Sequence, residues 1–281
     1  MIVVFTPVHG AYDTAIQTIR AVDAIMPSFY IHLIGDDFSP GHDVQKYEQL
    51  EGTIQKGNEV VGERIVYPCS SLGLDITESP NMGLSLRHAF DIARDLHAEA
   101  LLTIESDVIP RPGIVNAFRN ADHLYGDNCG VVTPLFTKVG ENVISSFGGM
   151  SAGKAGGEDD FLDLRIGMDV GSWGKTEKPR LDSIWWTHLA CLWIPRRTLM
   201  IKNDSNEYVV NPDPNFSLWY CDHDLSYTIV NVAKKHIVIT DHAVAEHSRE
   251  CASTQLRWPV EEERQAIELQ GRQQLYDKWN I

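Results

Sequence analysis

Two short acidic stretches of this 281-residue chain carry side chains suited to chemistry. The first is Glu105-Ser106-Asp107, which follows the apolar run ALLTI and precedes the turn-forming VIPRPG. Along a strand, side chains i and i+2 share a face, so Glu105 and Asp107 converge. Like charges that close repel unless a cation or a proton lies between them. A hard divalent ion, Mg2+ or Mn2+, with a bound diphosphate would resolve this, because oxygens are its preferred ligands. The competing reading is a turn cap, in which the pair accepts backbone N–H groups and ties down the loop. The second stretch is Asp222-His223-Asp224, which opens a helical pattern just after Trp219 and Tyr220. Asp222 is either a carboxylate placed favourably beside free helix N–H groups or a general base that takes a proton from a hydroxyl.

TDHAVAEHSRE adds His242 and His247. A carboxylate pair with one imidazole is a sound ligand set for Mn2+, although a lone histidine is more often a structural hydrogen-bonding group. The HxxxxH spacing matches no zinc signature, and HExxH is absent. GxGxxG and GxxxxGK[ST] are absent too, which argues against a dinucleotide site or a P-loop. Of Trp173, Trp185, Trp186 and Trp193, the last reads as core. Trp185 or Trp186 is the candidate for a wall against a sugar ring.

The elements that must position these groups alternate in type. Residues 2–5 read as a buried strand ending at Thr6-Pro7, and residues 13–26 as a helix capped by Asp13 or Thr14. FYIHLIGDD is a second strand ending in Asp36 and Asp37, and ERIVYP (63–68) is a third. The helix GLSLRHAFDIARDLHA (83–98) then leads into ALLTIESD. Strands separated by helices in this way imply a mostly parallel sheet covered on both faces. Ligands of such sheets gather beyond the carboxyl ends of the strands, where Thr6-Pro7, Asp36-Asp37 and Glu105 to Asp107 all fall. The second half is less regular. Residues 140–180 are rich in glycine, serine and aspartate and read as a long excursion. Apolar text near 189–194, a helix from about 222, a short strand at 236–240 and a charged helix at 259–279 follow. With no repeat and no linker, the expectation is one domain over 1–281. It comprises a first half (about 1–110), a second half built onto it (about 111–258) and the helix 259–281.

Composition narrows the partners. With 24 basic and 39 acidic residues the formal charge is −15, which disfavours nucleic acid, since binding its backbone needs clustered Lys and Arg. Five scattered cysteines without a CxxC pair suggest a reducing compartment. MIVVFTPVHG lacks the basic start of a signal peptide, and no run approaches the 18 apolar residues of a membrane span. A cytoplasmic protein is expected, with room for peripheral membrane contact.

Taken in order, these stretches resemble the GT-A fold glycosyltransferases, and among them the inverting family-two group, across most of the chain. TPVHGAYDTAIQTIRAV is similar to the family's first strand and helix, which border the nucleotide and would include Thr6 and Pro7. Asp36 and Asp37 match the acidic position that contacts base and ribose. NMGLSLRHAFDIA resembles the family's Asn-Gly-Arg stretch through Asn81, Gly83 and Arg87, with His88 where Asn is frequent. ESDVIPRPG resembles the DxD segment, with Glu105 for its first aspartate and Asp107 on the metal position. CDHDLSYTI resembles the EDxDL segment. Asp222 then falls on the base, Cys221 on the usual glutamate, and Asp224 is the alternative base. CLWIPRRTL resembles the strand before the acceptor region. His247 in AEHS resembles a late metal-completing histidine, and the closing DKW is similar to a KW near the end of many members.

The resemblance implies a Mn2+- or Mg2+-dependent hexosyltransferase. It would move sugar from a nucleotide diphosphate sugar, UDP-type by default, to a hydroxyl of a glycan, lipid-linked sugar, protein or small molecule. Inversion through Asp222 is expected, with Arg87 either adding positive charge to the diphosphate or tying helix to sheet. A nucleotidyltransferase of similar architecture is the nearest rival, but TPVHGAYD lacks its glycine-rich basic loop. Glu105 and Cys221, as departures from the family pattern, keep a non-catalytic binding scaffold in play.

Overall fold

The computed structural model describes residues 1–37, 39, 41–68, 81–146, 149–150, 162–163, 184–216, 220–248 and 260–280. The first half alternates β1 (Ile2–Val8), α1 (Tyr12–Ile25), β2 (Tyr30–Asp36), α2 (Gly41–Glu48), β3 (Gly52–Lys56), β4 (Glu59–Pro68), α3 (Met82–Asp95) and β5 (Ala100–Ile104). Next come β6 (Val108–Pro110), α4 (Ile114–Tyr125), β7 (Cys129–Thr137) and β8 (Ile144–Ser146). β9 (Gly149–Met150), β10 (Leu162–Asp163) and β11 (Ile184–Trp186) pair in a small sheet of their own. β12 (Cys191–Pro195), α5 (Arg196–Leu199), α6 (Cys221–Tyr227), which runs on into a π-helical turn (Thr228–Val232), β13 (His236–His247) and a C-terminal helix (Glu261–Trp279) follow, and a 3-10 turn (Gly126–Asn128) links α4 to β7. Most of the glycine- and serine-rich stretch at 140–180 lies outside the described residues.

The large sheet runs in the order β3-β4-β2-β1-β5-β12-β7-β13-β6, with β8 added to β7. β4, β2, β1 and β5 are parallel neighbours. β12 enters antiparallel between β5 and β7, β13 runs parallel to β7, and β6 pairs antiparallel with β13. The expected mostly parallel sheet with a mixed second half is therefore what forms. Its central strands are buried on both faces, which is why they read as unbroken apolar runs. Ile2 and Val4 of β1 pack in one core with Val22 of α1 and Phe118 of α4. Val3 and Phe5 point the other way, into a core with Leu86 and Phe90 of α3 and Leu275 of the C-terminal helix. Trp193 is fully buried, as expected.

Two local expectations need correction, and the edge strand β3 was not foreseen. α1 starts at Tyr12 behind Ala11, whose φ is 46°, and no side chain caps it, so Asp13 and Thr14 lie inside the helix rather than at its cap. β3 was not legible because it is an edge strand with one buried residue, Ile54, and Gly57 (φ 63°) turns it into β4. β13 extends to His247 rather than stopping at 240. Asp241 and His242 interrupt its alternation at a register shift between Thr240 and Val244, beyond which the strand resumes pairing with β7 and gains β6.

The start of α3 explains one pair of motif residues. Asn81 caps the helix, its Oδ1 accepting from the Leu84 N–H at 2.8 Å, while its Nδ2 donates to the Pro214 carbonyl at 2.8 Å. Gly83 donates its N–H to the Phe216 carbonyl (3.2 Å). A Cβ at Gly83 would overlap the carbonyl oxygens of Asp213 and Phe216, so a glycine is needed for this close approach. Gly83→Ala is expected to destabilise the fold by about 1–3 kcal/mol, the usual cost of overpacking, read as a lowered denaturation midpoint in urea. An unchanged midpoint would show that the 213–216 backbone yields freely.

Candidate active site

β5 lies parallel to β1, so Glu105 emerges at the same edge of the sheet as Val8, Asp36 and Asp37. The Glu105 N–H donates to the Ala190 carbonyl (2.9 Å), and the Val108 N–H closes a tight turn onto the Glu105 carbonyl (3.0 Å). Thr18 of α1 holds the same turn by donating its hydroxyl to the Ser106 carbonyl at 2.9 Å. Beyond the turn, β6 pairs with β13 so that Val108 faces His247, and the Ser248 N–H donates to the Asp107 carbonyl at 2.9 Å. This ladder brings His247 Nε2 to 3.4 Å from Asp107 Oδ1. One ligand atom from each of Glu105, Asp107 and His247 lies within 4.8 Å of the others.

Burial first, and then the Asp107 carboxylate, push the Glu105 carboxyl up to about 7; Asp222 adds to the rise, and His247 opposes it. Two convergent carboxylates and an imidazole, one of them reluctant to ionise, form a donor set that fits a hard or borderline divalent ion. His242 is not part of this cluster. Its side chain is 87% exposed and its Nε2 sits 3.9 Å from Asp241.

Asp222 occupies the first turn of α6, behind Tyr220 at φ 67°. Its Oδ1 accepts the His223 backbone N–H (2.9 Å) and pairs with His223 Nδ1 (2.7 Å), while its Oδ2 lies 4.0 Å from His188 Nδ1. Burial alone would raise this carboxyl, but the two imidazoles and the backbone N–H outweigh it and hold Asp222 below the usual carboxylate range. The His223 ring stacks on Trp186 (4.5 Å, 17°) and tilts against Tyr220 (4.9 Å). Trp186 meets His188 edge-on at 4.9 Å, and Phe136 lies 6.0 Å from both His188 and His247. An aromatic wall of Phe136, His188, Trp186 and His223 thus joins the carboxylate–histidine cluster to Asp222. Of its members, sequence reading offered Trp186 (with Trp185 as the other choice). His188 and Phe136 went unseen, since a single residue within strand-like text carries no periodic mark. The Trp185 side chain, Trp173 and Trp219 lie outside the described residues.

Other residues singled out in the sequence serve different ends. Asp224 is buried, and its carboxylate accepts from Trp279 Nε1 (2.8 Å) and pairs with Lys278 Nζ (2.7 Å). The Thr6 hydroxyl is bonded to His32 Nε2 (2.9 Å) inside the sheet, and Pro7 is buried within β1. Asp36 Oδ1 accepts the Ser39 N–H (3.1 Å), Asp37 Oδ1 accepts the Asn81 N–H (3.0 Å), and the Asp37 carbonyl meets His9 Nδ1 (2.5 Å). Arg87 is exposed on α3, and the Ser106 side chain is buried in the turn. The structure therefore gathers Glu105, Asp107 and His247, sets Asp222 near them, and leaves Thr6 and Asp224 turned elsewhere.

The raised Glu105 carboxyl must lose its proton before it can ligate. Mn2+ affinity is therefore expected to fall by about tenfold per pH unit below roughly 7, as read from the free-Mn2+ electron paramagnetic resonance signal. Glu105→Gln should lessen that dependence without abolishing it, since His247 must also be unprotonated to ligate. A wild-type affinity independent of pH between about 5.5 and 7 would contradict the assignment of Glu105 as a ligand.

No family model matches the chain, and no curated protein does. Solved structures do. The chain aligns over its full length with glucosyl-3-phosphoglycerate synthase from Mycobacterium tuberculosis in complex with Mn2+, UDP-glucose and phosphoglyceric acid, at 12% identity, TM-score 0.53 and 80% coverage of that chain. TarS of S. aureus matches 91% of this chain at 12% identity and TM-score 0.51. GalNAc-T7 with UDP, GalNAc and Mn2+ matches 88% at 13% identity and TM-score 0.50. The chain spans 63% of the TarS structure and 44% of the GalNAc-T7 structure. At these identities the likeness is one of architecture: a mixed sheet flanked by helices in a Rossmann-like GT-A fold.

Proposed function

We propose that this chain is a glycosyltransferase that moves a sugar from a nucleotide diphosphate sugar to a hydroxyl acceptor with inversion. The observation that carries the reading is the meeting of Glu105, Asp107 and His247 at the carboxyl edge of the sheet, with Asp222 close enough to perturb Glu105. Two of the solved structures that share the fold hold Mn2+ together with UDP or UDP-glucose, which favours a UDP sugar as donor. The base and ribose would lie against Asp36 and Asp37, whose loops are already braced by Ser39 and Asn81.

Glu105, Asp107 and His247 would hold a divalent ion, which when bound stabilises the charge gathering on the departing diphosphate. The remaining chemistry belongs to the chain. Oδ1 of Asp222 is occupied by His223, so Oδ2 is the atom left to take the acceptor's proton. A carboxylate held below its usual range stays ionised at neutral pH and is ready to accept. Trp186, stacked on His223, fixes the imidazole that orients Asp222. The hydroxyl so activated attacks the anomeric carbon from the side opposite the diphosphate, which inverts it. The acceptor hydroxyl would belong to a glycan, a lipid-linked sugar, a protein or a small molecule.

UDP-hexoses offered with Mn2+ and a panel of hydroxyl acceptors should yield a product of inverted configuration by proton NMR. Asp222→Asn should lower turnover about 10²–10⁴-fold, the range of a lost general base, while UDP–Mn2+ affinity stays at the wild-type value. Full turnover in that variant, or a product with retained configuration, would overturn the role given to Asp222.

A further inference from the structure

The C-terminal helix is fastened to the helix that carries Asp222. Trp279 Nε1 donates to Asp224 (2.8 Å), Lys278 Nζ pairs with the same carboxylate (2.7 Å), and the Trp279 ring lies 4.5 Å from Tyr227. Lys278 also reaches Asp213 Oδ2 at 2.8 Å and sits 5.4 Å over the Phe216 ring. The backbone of residues 213–216 is in turn held by Asn81 and Gly83 at the head of α3. Asn81 donates its own N–H to Asp37. One bonded path therefore runs from Asp37, at the end of β2, through Asn81, residues 213–216 and Lys278 to Asp224, two residues from Asp222.

Each joint in this path has a physical reason to be rigid. Asp224 is 1% exposed, and a buried carboxylate is tolerable only while it is paired and hydrogen-bonded. Lys278 bridges two carboxylates, so neither can shift without leaving the other cation–anion contact poorly made. α6 follows a non-glycine residue at φ 67° and passes directly into a π-helical turn (Thr228–Val232), so regular α-helical hydrogen bonding spans only its seven residues. The Asp224 N–H donates to the Tyr220 carbonyl (2.8 Å), tying that strained residue to the anchored end.

We propose that Lys278 and Trp279 are positioning residues. By clamping Asp224 they fix the rotation of α6 that aims Asp222. The inference rests on the reading of Asp222 as base. Its structural half, the dependence of the Asp222–His223 geometry on the clamp, is testable without turnover.

The test uses the full chain labelled with 15N-histidine, together with kinetics. Lys278→Met is expected to lower kcat about 10²-fold, the size of a misplacement of reacting groups, with UDP–Mn2+ affinity within about twofold of wild type. It is also expected to erase the downfield Nδ1–H signal of His223 that reports the bond to Asp222. Asp224→Asn in the Lys278→Met background removes the unpaired charge and should restore most of both. Trp279→Phe, which keeps a ring and loses the N–H, should show the same pattern at smaller size and serves if Lys278→Met fails to fold. The proposal is overturned if the variants keep both kcat and the His223 signal. It is also overturned if nucleotide affinity falls by the same factor as kcat, or if Asp224→Asn brings no relief. A wild-type chain that binds no nucleotide would sink the functional reading instead, while the His223 signal would still decide whether the clamp sets Asp222.

Discussion

The repulsion between Glu105 and Asp107 is the constraint around which the site is arranged. Two carboxylates end on one side of a tight turn, and burial pushes the first of them toward neutrality. Nothing in β5 alone would hold them there. The turn is held by Ala190 from β12, by Thr18 from α1 and by β6 against β13. Elements distant in sequence therefore maintain an arrangement that, without a cation or a proton, costs free energy. Such a cost is tolerated where a site has a use for it, and the proposed ion-bound diphosphate would be such a use.

Asp222 follows the opposite rule. Glu105 is raised by burial and like charge, whereas Asp222 is lowered by two imidazoles and a backbone N–H despite its burial. Carboxyl groups with diverging proton affinities at one edge of a sheet suit divided labour, one sharing a cation and the other accepting a proton. The aromatic wall of Phe136, His188, Trp186 and His223 runs from one to the other. Histidine is well suited to that wall, because its ring packs like an aromatic while its nitrogens still address the carboxylates.

Much of the framework was legible because the parallel strands, buried on both faces, leave apolar runs that stand out in any reading. The same property hid which way each side chain points, so Thr6 looked like a strand-end ligand although its hydroxyl bonds His32 inside the sheet. β6 is three residues long and exists because β13 pairs with it. Local text could not reveal it, nor therefore which of His242 and His247 meets Asp107, a choice that only the family resemblance made. Asp222 and Asp224 could not both face the site, since residues two apart on a helix point about 200° from each other. Sequence left the choice open. Lys278 and Trp279, some fifty residues further along, settle where Asp224 points.

The central claim is that Asp107 anchors a metal-bound nucleotide diphosphate. Calorimetric titration with UDP and with GDP, each with and without Mn2+, on the wild-type chain and on Asp107→Asn tests it most directly. The account predicts binding of one nucleotide that depends on Mn2+ and is largely lost in the variant, and the preferred nucleotide would name the base. Binding indifferent to Mn2+ or to Asp107→Asn, or no binding to either nucleotide, would contradict it and leave the carboxylate pair as a turn cap in a non-catalytic scaffold.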